Sequence, residues 1–169
     1  MSENGNPEKV KMGVCWAEFD DSNLGYTSGN VRVTYNTESV EKRVDQEDAA
    51  LDEMLTNQTF EVVVPLAEQD LARMADLFPG ATVKGSGENM KLDLSGSSEG
   101  SLIDDAKKLV LKPKGSESKA IDWLTVHHAL PRPTMNFAYE KENVRVYEVT
   151  FKALVGENGW VTFGDETAT

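Results

Sequence analysis

Residues that most often carry chemistry are scarce in this chain. Its 169 residues include one cysteine, Cys15, and two histidines, His127 and His128. A lone cysteine excludes an internal disulfide, and the setting Gly13-Val14-Cys15-Trp16 reads as a buried strand position with a structural thiol. Adjacent histidines on a strand point to opposite faces, so they do not share a metal. No stretch approaches the roughly 18 consecutive apolar residues of a membrane helix. The start, Met1-Ser2-Glu3-Asn4, lacks the positive charge and apolar middle of a secretory signal. The chain is therefore expected to be made in a cytoplasm and to bind no membrane. There is no Gly-x-Ser-x-Gly elbow, phosphate loop or dinucleotide fingerprint, so neither an enzyme nor a cofactor is expected. Asp20-Asp21-Ser22-Asn23-Leu24-Gly25 hints at a calcium loop, but Arg32 stands where the closing carboxylate belongs. Turn formation is the better reading of that stretch.

Basic residues are also few, 17 against 29 acids, for a formal charge of −12. Such a surface does not grip a phosphate backbone. An acidic wall does let a polyanion slide past it, although the same charge also serves plain solubility. The charge is unevenly spread. Residues 1–60 hold twelve acids and five bases, a net of −7, whereas residues 107–119 hold five lysines against Glu117, a net of +4. Patches of opposite sign on one molecule suit a heterologous contact between copies, which propagates into rings or filaments. A solvated lysine loop is the competing reading.

Length and composition predict one domain, residues 13–169, preceded by a mobile polar arm, residues 1–12. Alternating apolar and polar residues predict strands at 13–19, 31–35 and 60–66. Past residue 35 the apolar parity switches to Val40 and Val44, which requires a bulge or tight turn within 36–39. Residues 46–58 are polar and uncapped and read as a long, partly ordered loop. A helix is expected over 67–78, with Glu68 and Asp70 in its first turn, Met74 on the core stripe, and Pro79-Gly80 as the stop. Further strands are expected at 81–84, 89–94, 108–112, 120–129, 135–140, 144–154 and 160–163. Between them fall a Gly85-Ser86-Gly87 hairpin, a Gly/Ser loop at 95–100, and a break at Pro131-Arg132-Pro133. The fold class is mainly β (α+β), with one flanking helix.

An ordered set of these features is shared with a known family. Leu24-Gly25-Tyr26 precedes the strand at 31; Asp45-Gln46 follows; and Leu66-Ala67-Glu68 opens the helix. This set resembles the major tail tube proteins of long-tailed bacteriophages, closely over residues 13–80 and more loosely at 147–154 and 163–165. The resemblance implies a tail-tube-like β-sandwich or half-barrel whose sheets join between copies into a closed β-barrel ring. It further implies homo-hexameric rings stacked into a hollow tube for DNA, with tail tip or initiator, tape measure and tail terminator proteins as partners. The location implied is the virion tail, assembled in a host bacterial cytoplasm. With four strands per copy, a ring of six has twenty-four; about 4.8 Å per strand at roughly 45° tilt gives a barrel about 50 Å across, wide enough for duplex DNA.

Candidate lumen residues are Glu38, Glu41, Asp45, Glu61 and Glu148. Candidate subunit or ring contacts are Leu24, Gly25, Tyr26, Asp48, Leu51, Lys112 and Lys114, although Gly25, Tyr26 and Gly29 serve equally well in local folding. Besides an enzyme built on paired Asp and Glu residues, which has little to support it, two other readings compete with the phage tube. One is a tube of the type VI secretion kind. The other is a monomeric β-sandwich binding module, which would need an aromatic platform drawn from Trp16, Trp123, Trp160 or Tyr139.

Overall fold

The computed structural model describes residues 5–95 and 100–169, so most of the 95–100 loop and the first residues of the arm lie outside the description. Ten strands and one α-helix follow one another: β1 (Cys15–Phe19), β2 (Ser22–Asn23), β3 (Arg32–Lys42), β4 (Asp52–Leu66), α1 (Leu71–Leu77), β5 (Ala81–Ser86), β6 (Asn89–Leu94), β7 (Lys107–Pro113), β8 (Leu124–Thr134), β9 (Tyr147–Ala153) and β10 (Val161–Phe163). Eight strands form one antiparallel sheet in the order β2-β1-β7-β8-β9-β4-β3, with β10 also on β8. The sheet does not close into a barrel. The first half of β8 lies between β7 and β10, and its second half pairs with β9. The two halves of the sheet fold over a shared core, where Phe19 from β1 meets Phe151 from β9 at 5.2 Å between ring centroids. Helix α1 closes the core with Met74 and Leu77 and packs beside the β5–β6 hairpin.

Local chemistry explains where these elements begin and end. Asp20 and Asp21 both have positive φ, 51° and 62°, and form the tight turn joining Phe19 to Ser22. Short polar side chains tolerate that left-handed backbone, so the stretch is turn chemistry, as its composition suggests. The helix is shorter than expected at its start. The Ala67 N–H donates to the Tyr26 carbonyl at 2.9 Å, which keeps residue 67 in strand-like pairing. Asp70 is therefore the N-cap, accepting from Ala72 N at 2.9 Å and Arg73 N at 3.3 Å.

Four expectations are overturned. Residues 52–58 are strand, pairing with β3, where a loop was expected. Residues 120–122 form a 3-10 turn, and residues 135–140 carry no strand. Pro131-Arg132-Pro133 does not break β8, which runs on to Thr134. The reason is register. His128 O accepts from Leu154 N at 2.7 Å, so even-numbered residues of β8 bond β9 and the nitrogens of Pro131 and Pro133 face away from it. Cys15 is half-buried, with burial pushing its thiol up, and of the adjacent histidines His127 bonds the Thr162 hydroxyl while His128 lies against Gly156.

Candidate assembly surfaces

The second half of β8 together with β9, β4 and β3 makes a four-stranded antiparallel run with two unlike faces. On the core side Pro131, Phe151, Val62 and Val33 stand in register; next to that row Ala129 pairs with Ala153 and Phe60 with Tyr35. On the opposite side stand Arg132, Thr150, Val63 and Arg32 in one row, and Leu130, Lys152, Glu61 and Thr34 in the next. Glu148 belongs to this second face and reaches Arg32 at 3.7 Å. Glu61 and Glu148 are thus brought to one polar face, and Glu38 lies farther along it on β3. Sequence reasoning missed that the face is balanced: Arg32, Arg132 and Lys152 alternate with the three glutamates. The period-2 pattern of β8 and β9 contained that signal.

Past residue 35 of β3, and before residue 61 of β4, the two strands leave the sheet. The β4–β9 ladder ends at Glu61, whereas β3 and β4 continue to pair with each other as far as Lys42 and Asp52. The result is a free two-stranded arm with a tip of residues 43–51. A bulge interrupts it between Glu38 and Ser39 of β3, opposite Asn57 and Leu55. The inserted residue is Thr56 of β4, whose hydroxyl donates to Glu38 O at 3.1 Å. The parity switch was legible in β3, but the extra residue lies on its partner. Past the bulge Val40 pairs with Met54 on one face of the arm, and Leu55 occupies the other. Val40, Leu51, Met54 and Leu55 are all more than half exposed. The arm is strongly acidic, with seven acids and two bases over residues 38–53. Glu41 faces away from the Glu38 side and is held by Arg43 at 2.5 Å. Asp45, Asp48 and Leu51 lie in the tip.

The opposite end of the same hairpin carries the remaining candidates. Leu24 is 4% exposed and belongs to the core. Gly25 has φ +88°, and a Cβ there would lie 2.1 Å from Glu68 Oε2, so its requirement is local. Glu68 accepts the Tyr26 N–H at 3.1 Å and is held by Arg73 at 3.0 Å. Of the three, only Tyr26 presents its side chain, with its ring against Trp16 at 5.8 Å. The lysine run is less open than its sequence suggests. Lys108 pairs with Glu166; Lys112 pairs with Glu18 at 2.7 Å and lies over the Trp123 ring at 4.4 Å. Lys114 is exposed, its N–H donating to Val14 O at 2.9 Å. Lys11 joins this end through Asp122 at 3.2 Å, and its ammonium holds that carboxyl below the usual range.

No protein-family model matches this chain, and no curated protein matches it. Solved structures do. The chain is similar to the tube terminating cap of the anti-feeding prophage, with TM-score 0.52 and 12% identity over 96% of this chain and 97% of that one. It is also similar to the sheath/tube terminator of the PVC extracellular contractile injection system in its extended state, with TM-score 0.50 and 12% identity over 88% and 94%. At this identity the likeness is one of fold. It is a fold that tube-ending proteins of phage-tail-like particles use. Among the described residues no helix is long and apolar enough to cross a membrane.

Proposed function

We propose that the protein is a structural subunit of a phage-like tail, six copies forming a ring and rings stacking into the tube that conducts double-stranded DNA. The observation that carries this reading is the four-stranded run with one buried and one polar face. Because the count is even and every pairing antiparallel, joining β3 of one copy to the β8 side of the next also makes an antiparallel junction. Closure of that kind covers the open edge that β3 presents; on the β8 side Pro131 and Pro133 supply no donor, so the junction there rests on their carbonyls and on side-chain contact. The polar face then lines the lumen, with Glu38, Glu61 and Glu148 interleaved with Arg32, Arg132 and Lys152; Glu41, on the other face of the arm, and Asp45, in its tip, are not part of that lining. Alternating charge of this kind neither traps nor strongly repels a passing duplex. Tail tip, tape measure and terminator proteins are the partners, and the role requires no cofactor and no catalysis.

A second reading is that the subunit ends a tube and does not extend one, since both similar structures named above are tube-end proteins. A type VI-like tube would share the ring architecture and differ in its gene neighbours. Of the aromatic residues a binding module would use, Trp16 packs on Tyr26, Trp123 lies under Lys112, Trp160 contacts Tyr35 and Phe60, and Tyr139 meets Phe137 edge-on beside Arg145. Negative-stain electron microscopy of the concentrated protein, alone and with tail tips, tests the proposal. Stacked hollow rings support a tube subunit, and single rings that stop on tube ends support a terminator. A persistent monomer in both conditions overturns both.

A further inference from the structure

We infer that the acidic arm of one copy docks on the basic, apolar far end of another copy, making the ring-to-ring contact head to tail. The inference deepens the ring-stacking reading above and names the two surfaces. The first is the arm tip, where Glu47, Asp48 and the apolar Leu51 flank the turn. The second is built where residues 9–14 run beside residues 114–119, joined by the Lys114–Val14 backbone bond. Those two segments hold Lys9, Lys11, Lys114 and Lys119 against Glu117, and with Asp122, which pairs with Lys11, the net is +2 opposite the arm's −5. Backbone N–H groups, its own and that of Gly115, hold the Glu117 carboxyl below its usual range. Lys9, Lys114 and Lys119 make no ion pair among the described residues.

Placement makes the pair directional. A groove of ≈ 220 Å³ runs between residues 13–15 and residues 27–31, so the basic end adjoins the start of β3. From there β3 runs eleven residues to the arm, about 36 Å at roughly 3.3 Å per residue. The two surfaces therefore lie at opposite ends of one hairpin. A copy cannot satisfy its own arm, and each copy offers one surface of each kind. The basic end also has apolar matter to receive Leu51: Val14 and Tyr26 are exposed and line a second groove of ≈ 280 Å³ with Trp16 and Lys114, and Val10 and Met12 are exposed on the preceding segment. Opposite charge with matching apolar patches gives a heterologous contact, which repeats without closing along an axis.

The test uses the full chain in three forms: Glu47→Lys/Asp48→Lys, Lys9→Glu/Lys114→Glu, and all four changes together. All four positions are exposed, so the fold tolerates them. Sedimentation velocity and negative-stain microscopy at about 50 mM and about 500 mM salt read the association, because surface charge is screened over this range. Either two-site variant should shorten stacks on the order of tenfold through like-charge opposition, and the four-site variant should restore them. Wild-type stacks should shorten at the higher salt. If rings stack equally well in all forms, this contact is overturned and the ring reading stands. If copies associate head to tail with salt sensitivity and rescue but without rings, the contact stands and the ring reading falls. Loss in both two-site variants without rescue in the four-site variant overturns the contact, as does absence of any association in the wild type.

Discussion

The near and far halves of the β3–β4 hairpin share two strands and one ladder, yet they answer to different physics. In the near half Phe60, Val62, Val64 and Leu66 are buried in the shared core, and their neighbours alternate toward the polar face. In the far half every residue from 52 to 58 is exposed, and the apolar side chains point to both faces. Burial on one side fixes register in the near half, since a slip of one residue would turn the whole apolar set outward. The far half has no such constraint. Its apolar residues are left more than half exposed, Val40 and Met54 side by side across the ribbon, which is why they are read as belonging to an assembly.

The comparison breaks most directly in the core. Phe151 lies opposite both Val62 and Pro131 and meets the Phe19 ring, with no exposed surface. Phe151→Ala should cost about 3–5 kcal/mol of monomer stability, read as a lowered denaturation midpoint in urea. A loss near that of a surface change would mean that the two halves are not unlike. Tyr147, 1% exposed beside Phe78, gives the next largest effect. Burial, reinforced by Asp70, pushes its hydroxyl up to about 12 from an ordinary 10. Above pH about 10 the unfolded chain releases a proton that the folded chain keeps. Stability is therefore full below that pH and falls by about 2–3 kcal/mol as pH rises toward about 12. Thermal melts across this range should show the fall in the wild type and a flatter profile in Tyr147→Phe.

A smaller effect is expected at the hairpin's base. Gly25→Ala would place a methyl on the Glu68 carboxylate and strain a backbone at φ +88°. The cost should be about 1–3 kcal/mol, with lost protection of the Tyr26 amide in hydrogen exchange. Protection unchanged from the wild type would mean that the Glu68 contact does not hold this loop.

Much of the near half was legible from sequence because burial leaves a period. The alternation at 60–66 gave β4 its inner part, residues 89–94 matched β6, and Leu71, Met74 and Leu77 marked the helix. The far half of β4 was not legible. Asn57-Gln58-Thr59 hides the period, the bulge at Thr56 shifts it by one, and Met54 and Leu55 on opposite faces mimic helical spacing. Pro131 and Pro133 were misread for a related reason, since composition says proline but not which edge its nitrogen faces. Of the candidate residues, Glu61 and Glu148 meet on one face because both obey strand parity, whereas the balancing Arg132 and Lys152 went unweighed because acidic residues alone were sought.

The sharpest form of the comparison lies in the arm, where the smallest effect on folding should accompany a large effect on association. Met54 and Leu55 are 62% and 56% exposed on opposite faces of the ribbon. Replacing both with serine removes no buried contact, so monomer stability should change by less than about 0.5 kcal/mol. The β3 ladder at Val40 and Ser39 is made by backbone and should persist. If these side chains serve the monomer by packing along the ribbon, the urea midpoint will fall as it does for a core change. If they serve a neighbouring copy, the midpoint will hold and assembled particles will be lost, because only association would then remove that apolar surface from water.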